Sequence, residues 1–241
     1  MRFPALLLLV SLAVLLVGCK HSPGYPGSPI TRPDEVMDFA TLYSQNCTAC
    51  HGANGQNGPA LDLANSEYQA LVDDATLRKW ISSGMPGTEM PAFAQAAGGM
   101  LTDAQVNVLI AGMRKLWSRP DAFAGAMPPP YAQEQKGDAH NGEQSYQSRC
   151  ISCHAASPQQ ITSSDYLAVV ADQALRSIII AGRPDIGQPD WRHLGPDGKT
   201  APPLSAQDVN DIVAYLASLR NPTLAANDTA NQSAPSTQPG R

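Results

Sequence analysis

Two short runs in this 241-residue chain have the residue types and the spacing to do chemistry: Cys47-Thr48-Ala49-Cys50-His51 and Cys150-Ile151-Ser152-Cys153-His154. Two thiols on one helical turn can form thioethers to the two vinyl groups of one porphyrin, and the adjacent imidazole then faces the iron. Two other chemistries use similar spacing. A thioredoxin-like redox pair needs a βαβ setting, whereas the segments around both runs are patterned for helix. A zinc site gathers four thiolates and imidazoles on one ion, whereas each run here is complete by itself, which suits two separate, covalently attached haem c groups.

The start of the chain sets the compartment. Met1-Arg2 leads into an apolar run over residues 4–17 and then Gly18-Cys19-Lys20. The run is too short to cross a bilayer, and a basic start, an apolar stretch and a small residue before the cut describe an export signal over residues 1–18. Leu16-Val17-Gly18-Cys19 also resembles the lipobox of bacterial lipoproteins, in which the cysteine becomes the lipidated first residue of the mature chain. Cys19 under lipid and four cysteines in the two runs account for all five, leaving no stray thiol. The predicted location is therefore a cell membrane, facing the periplasm and held by an N-terminal lipid. Loss of Arg2 with the signal moves the formal charge from −5 to −6, a mildly acidic balance that argues against a nucleic-acid partner.

The remaining elements position these groups. Residues 19–34 are a Pro/Gly-rich tether, in which His21 is solvated. A helical pattern from residue 35 (Val36, Phe39, Ala40, Leu42, Tyr43) carries the first run, and a second helix is predicted at about residues 75–83. Residues 84–93 are too rich in Gly and Pro for a regular element. Thr102-Asp103 then caps a helix whose apolar face is Val106, Leu109, Ile110, Met113, Leu116 and Trp117. Residues 120–137 read as a Pro-rich linker, and residues 222–241 as a disordered tail.

Between linker and tail the chain repeats itself. Tyr43 and Cys47 recur 103 residues later as Tyr146 and Cys150, and Leu101, Val106 and Asn107 as Leu204, Val209 and Asn210. Between these blocks the separation is 98, pairing Tyr68 with Tyr166, Arg78 with Arg176, Gly84 with Gly182, Pro91 with Pro189 and Phe93 with Trp191. Five residues are lost after the second motif and regained before Leu204, both in loops, as in a duplicated domain with an intact helical frame.

Each half resembles a class I cytochrome c domain, and the whole resembles a dihaem, membrane-anchored bacterial cytochrome c. The resemblance rests on the Tyr-x-x-x-Cys-x-x-Cys-His runs and on Met90-Pro91-Ala92-Phe93, and covers residues 35–119 and 138–221. It implies an all-α fold of two small tandem bundles wrapped around haem, with His51 and His154 as proximal ligands. It implies Met90 as the second ligand of the first domain, with Met85 as its rival. Met100, Met113 and Met127 are expected to fill gaps in packing.

The second domain departs from this pattern, because Met85 and Met90 fall on Arg183 and Gln188. Three outcomes are open for that iron: His193 swings in, Gln188 stands near as a weak ligand, or the position stays open. His140 is expected at the surface.

No serine–histidine–aspartate order, phosphate-cradling glycine loop or metal-spaced carboxylate cluster stands out, and the scattered Asp and Glu residues read as solvated faces. The expected function is electron transfer with redox protein partners such as a respiratory complex, an oxidase or a soluble cytochrome. The alternative from another class is a peroxidase-like enzyme or ligand sensor using an open position on the second haem.

Overall fold

The computed structural model describes residues 31–155, 160–192 and 201–220. Cys19, His193 and the tail lie outside these described residues. The chain divides into two units, Met1–Glu35 and Val36–Arg241. In the first, Pro33–Glu35 form one 3-10 turn, closed by the Arg32 guanidinium on Glu35 at 2.8 Å.

Among its described residues the second unit holds two successive sets of five α-helices. The first set is α1 (Phe39–Asn46), α2 (Thr48–His51), α3 (Ser66–Leu71), α4 (Asp74–Ser83) and α5 (Asp103–Trp117). The second is α6 (Ala139–Arg149), α7 (Ile151–His154), α8 (Ser164–Ala168), α9 (Asp172–Ala181) and α10 (Ala206–Ser218). No strand forms among the described residues, so the fold is all-α. Helix starts follow side-chain caps. The Asp38 carboxylate accepts from Thr41 N, so α1 begins at Phe39, and Val36, which the sequence pattern assigns to it, precedes the helix. Thr102 with Gln105 and Ser205 with Asp208 form capping boxes at the starts of α5 and α10.

Repeated residues make repeated bonds. Arg78 donates to Asn107 Oδ1 in the first half, and Arg176 donates to Asn210 Oδ1 at 2.5 Å in the second. Leu101 N donates to Phe93 O at 2.8 Å, and Leu204 N to Trp191 O at 3.0 Å. The two cores use matching positions, Tyr43, Leu77, Val106 and Leu109 in one and Tyr146, Leu175, Val209 and Ile212 in the other. Three sequence expectations differ in detail. Leu116 is half-exposed because α5 turns it away from the core, and Met100 and Met127 are largely exposed rather than filling gaps. Met113 is buried as expected.

The halves have exchanged the partners at one helix crossing. Phe39 on α1 packs over Gly112 on α5, where an added Cβ would stand 2.1 Å from the ring. The equivalent positions in the second half are Gly142 on α6 and Tyr215 on α10, with the small residue now on the first helix. There the neighbour is backbone: a Cβ on Gly142 would stand 1.9 Å from Asp211 O. Helix α6 is otherwise polar and buries little besides Gly142 and Tyr146, so this close approach attaches it to α10.

Residues 120–137 are not a free linker. Phe123 packs edge-on against Trp191 at 5.4 Å, and its carbonyl accepts from Arg192 Nη1 at 2.9 Å. The Tyr131 hydroxyl accepts from Trp80 Nε1 at 2.7 Å, while Pro130 and Tyr131 carbonyls accept from Arg176. The segment is thus strapped to both halves.

A side-chain neighbour can move and a backbone neighbour cannot, which separates the two crossings. Gly142→Ala is expected to destabilise the protein by about 1–3 kcal/mol, with no relief from Tyr215→Ala. The smaller loss in Gly112→Ala is expected to be relieved by Phe39→Leu. Denaturation midpoints of the four single and two double variants measure both couplings.

Candidate functional site

Each Cys-x-x-Cys-His run folds as a single helical turn. Tyr43 O accepts from Cys47 N at 2.9 Å to close α1, and Cys47 O then accepts from Cys50 N at 3.2 Å and His51 N at 3.0 Å. The second run repeats this, with Cys150 O accepting from Cys153 N at 3.1 Å and His154 N at 3.0 Å. The two thiols of each turn therefore share a face, with the histidine immediately after the second. Cys50 and Cys153 are exposed, Cys47 is half-buried and Cys150 is buried, and no disulfide joins any of the four. Burial pushes the Cys47 thiol up to about 12 and the Cys150 thiol up to about 11. Both are held as thiols at neutral pH, unlike the low-pKa thiolate of a redox-exchange pair. Among the described residues no group of three or more His, Cys, Asp or Glu side chains is placed to hold a metal ion.

The loop after the first turn orients its imidazole. His51 Nδ1 lies 2.8 Å from Leu61 O, which makes Nδ1 the donor and leaves the Nε2 lone pair for a metal. Burial lowers the pKa of this ring, which favours the neutral, ligating form. The loop closes tightly on the turn: a Cβ on Gly58 would stand 2.3 Å from Cys50 O, and Gly52 lies in the left-handed region at φ 79°. Each motif is also tied to the preceding helix, by the Tyr43 hydroxyl donating to Gly52 O at 3.2 Å and the Tyr146 hydroxyl to His154 O at 3.5 Å.

The second candidate ligand of the first half sits in a loop closed on itself. Met85 N donates to Met90 O at 3.1 Å, and Met90 N donates to the Thr88 hydroxyl at 3.2 Å. Gly84, at φ 72°, lets the chain turn against Met90 O, where a Cβ would stand 2.7 Å away. The Met90 side chain packs against the first core. Two thiols on one turn, one oriented imidazole and a thioether on a separate, fixed loop are a donor set that fits a covalently held haem iron with His and Met ligands.

The corresponding loop of the second half keeps the frame and changes its use. Gly182 is again left-handed, at φ 75°, and Arg183 and Gln188 exchange both backbone hydrogen bonds at 2.9 Å. Gln188 Nε2 donates to Ile178 O at 3.2 Å, so this amide is turned back onto α9. Arg183, at the Met85 position, pairs with Asp185 at 2.8 Å and is buried with it. Arg183 Nη2 donates to Gly58 O at 3.1 Å, and Asn57 N donates to Asp185 Oδ2 at 2.8 Å, so the loop rests on the first half. Asn65 Nδ2 completes the junction by donating to Ala181 O at 2.8 Å.

Several of these residues escape a reading of the sequence. Asp62, Asp211 and Arg183 are buried, and the side chain of Asp185, paired with Arg183, is 0% exposed, so none of these charges is a solvated one. Arg114 donates to Gln69 and Val72 carbonyls and pairs with Asp74, and Arg220 does the same to Leu167, Val170 and Asp172. The acceptors are related by the separation of 98, but the two arginines do not align, so the repeat itself conceals the match. His140 is exposed, as expected.

Two family comparisons cover most of the described chain. The family described as cytochrome C oxidase, cbb3-type, subunit III, matches residues 34–111, and the family described as cytochrome c matches residues 139–220. A curated relative, the dihydro-heme d1 dehydrogenase of Pseudomonas aeruginosa, is 35% identical over 96 residues, which are 36% of this chain and 18% of that protein. A solved structure titled dihydro-heme d1 dehydrogenase NirN in complex with DHE is 30% identical, with a TM-score of 0.29, and covers 40% of this chain and 18% of the other. The chain thus spans less than a fifth of the length of the curated relative it matches.

Asp62, next to the carbonyl that orients His51, gives the site a signature in pH. Burial, and then the nearby Asp185, push its carboxyl up to about 6 from 3.8. The folded protein therefore holds a proton that the unfolded chain releases between these values, and stability should fall as pH rises from about 4 through about 6. Asp62→Asn is expected to flatten this part of the curve, measured as denaturation midpoints across pH 4–7.

Proposed function

Because the chain is a tandem of two cytochrome c-type domains, we propose that it is a dihaem electron carrier, exported and held at a cell membrane by a lipid on Cys19. The observation that carries this reading is the same thiol–thiol–imidazole turn formed twice, each time tied to its preceding helix by a tyrosine. In this reading each bound haem supplies an iron that takes up and gives up one electron.

The chain's own residues do the rest. The pairs Cys47 with Cys50 and Cys150 with Cys153 would each hold one porphyrin through two thioethers. His51 and His154 would ligate the two irons, and Leu61 O holds the His51 ring at a fixed angle. Met90 would offer the iron a soft thioether donor from a loop closed by its own hydrogen bonds, and His with Met would favour the reduced state. A carrier needs little reorganisation, and the helical frame and the strapped segment at residues 120–137 supply that stiffness. Its partners are redox proteins at the membrane, a respiratory complex, an oxidase or a soluble cytochrome. Among the described residues no helix is long and apolar enough to cross a membrane, and the lipid at Cys19 supplies the attachment in this reading.

A second reading, a peroxidase-like enzyme or ligand sensor, is favoured by one observation. Gln188 donates to α9 and Arg183 reaches into the first domain, so neither residue at a former methionine position is free to cap the second iron. His193 would then decide between the readings. The similarity to part of a dehydrogenase fits an electron-handling module and does not extend to its substrate.

Mass spectrometry of the matured protein is expected to show two haem adducts, and Cys19→Ser to release it from the membrane fraction. The dithionite-reduced spectrum is then compared with and without carbon monoxide. An unchanged spectrum supports the carrier with two firmly ligated irons; a shift in about half of the haem moves the sensor or peroxidase reading to the front.

A further inference from the structure

Where the first domain carries its two candidate methionines, the second carries a charged clasp on its neighbour. The Arg183 side chain is 8% exposed and the Asp185 side chain 0%, and the pair is bonded at 2.8 Å. The clasp meets the first domain at Asn57 and Gly58, the loop that follows the Cys47–His51 turn. Gly58 transmits the contact, since it lies so close to that turn that a Cβ would stand 2.7 Å from His51 C and 2.6 Å from Gly52 N. Asn65 fixes the same junction from the side by donating to Ala181 O and Gly182 O. A guanidinium is thereby held at the loop that follows His51, close enough to act electrostatically on that ring, with Asp185 and Asp62 as its carboxylate neighbours.

We propose that Arg183 is a positioning residue through which the second domain sets the reduction potential of the haem held by the first. This rests on the reading that Cys47, Cys50 and His51 carry a haem. Reduction lowers the charge at the iron by one, and where water and salt are excluded that change responds to the balance of the clasp, the guanidinium favouring it and its carboxylate neighbours opposing it. A loop that gives up axial ligation in one domain thus acts on the electron affinity of the other. Docking and potential are thereby linked through one side chain.

The full, matured chain tests this, because two variants that both loosen the clasp have opposite charge effects. Arg183→Gln leaves Asp62 and Asp185 uncompensated, and Asp185→Asn leaves the guanidinium uncompensated. Potentiometric titration followed by the haem spectrum is expected to show the first-domain wave moving down in Arg183→Gln and up in Asp185→Asn, with the second wave moving less. Arg183→Lys is expected to restore the wild-type potential. Met90→His assigns the waves by lowering the first one. Hydrogen exchange at the Asn57 amide is expected to rise in both clasp variants, since its carboxylate acceptor loses its anchor in Arg183→Gln and becomes a weaker amide oxygen in Asp185→Asn. Shifts in the same direction would mean that docking alone matters and overturn the role of the charge; no shift would overturn it as well. Two haem adducts with unshifted waves sink this inference and leave the carrier standing, whereas a chain without a haem on Cys47 and Cys50 sinks both.

Discussion

Everything in this molecule serves one constraint, the helical turn that must present two thiols and an imidazole together. The turn has little to hold it: four helical residues, no side-chain cap at its start, and an exposed second cysteine. Its shape is imposed from outside, by the helix before it, by the tyrosine hydroxyl that reaches past it, and by the glycine-rich loop that closes over its end. The preceding helix and the tyrosine return at the second turn, where Tyr146 replaces Tyr43. A short helix is unstable by itself because nucleation costs more than one turn of hydrogen bonds returns, so this scaffolding is what makes the geometry persist.

The two domains have diverged where packing allowed it. The glycine at the helix crossing has changed sides, from α5 in the first domain to α6 in the second, and the second crossing is the closer one. The arginines that gather the carbonyls ending α3 and α8 come from positions on α5 and after α10 that do not align. In both cases the requirement is spatial: one small residue per crossing, and one cation per group of orphan carbonyls. Which residue supplies it is left open by the fold.

The junction between the domains is the largest departure from a simple duplication. It uses polar groups, Asn57, Asn65, Arg183 and Asp185, each with a bonded partner, and buries a full ion pair. Burying charge in this way adds little stability, because desolvation offsets the attraction, but it fixes one orientation, since any other would leave a buried charge unpaired. A tandem of two redox modules needs a constant separation between its centres, and an orientation-specific junction suits that need.

The sequence by itself determined the duplicated motif, the helix start at Thr102 and the irregular loop at residues 84–93, because these depend on residues within one or two helical turns of each other, while the all-α class came from the resemblance those motifs carry. Only the tertiary structure decided that Asp62 and Asp185 are buried, that residues 120–137 are a strap, and that the loop around Arg183 rests on the first domain. Arg183 and Gly58 stand 125 residues apart, and nothing local distinguishes a buried arginine from a solvated one. Charged side chains are placed by the partners that folding brings to them, and those partners are chosen by the packing of apolar faces that do not themselves encode them.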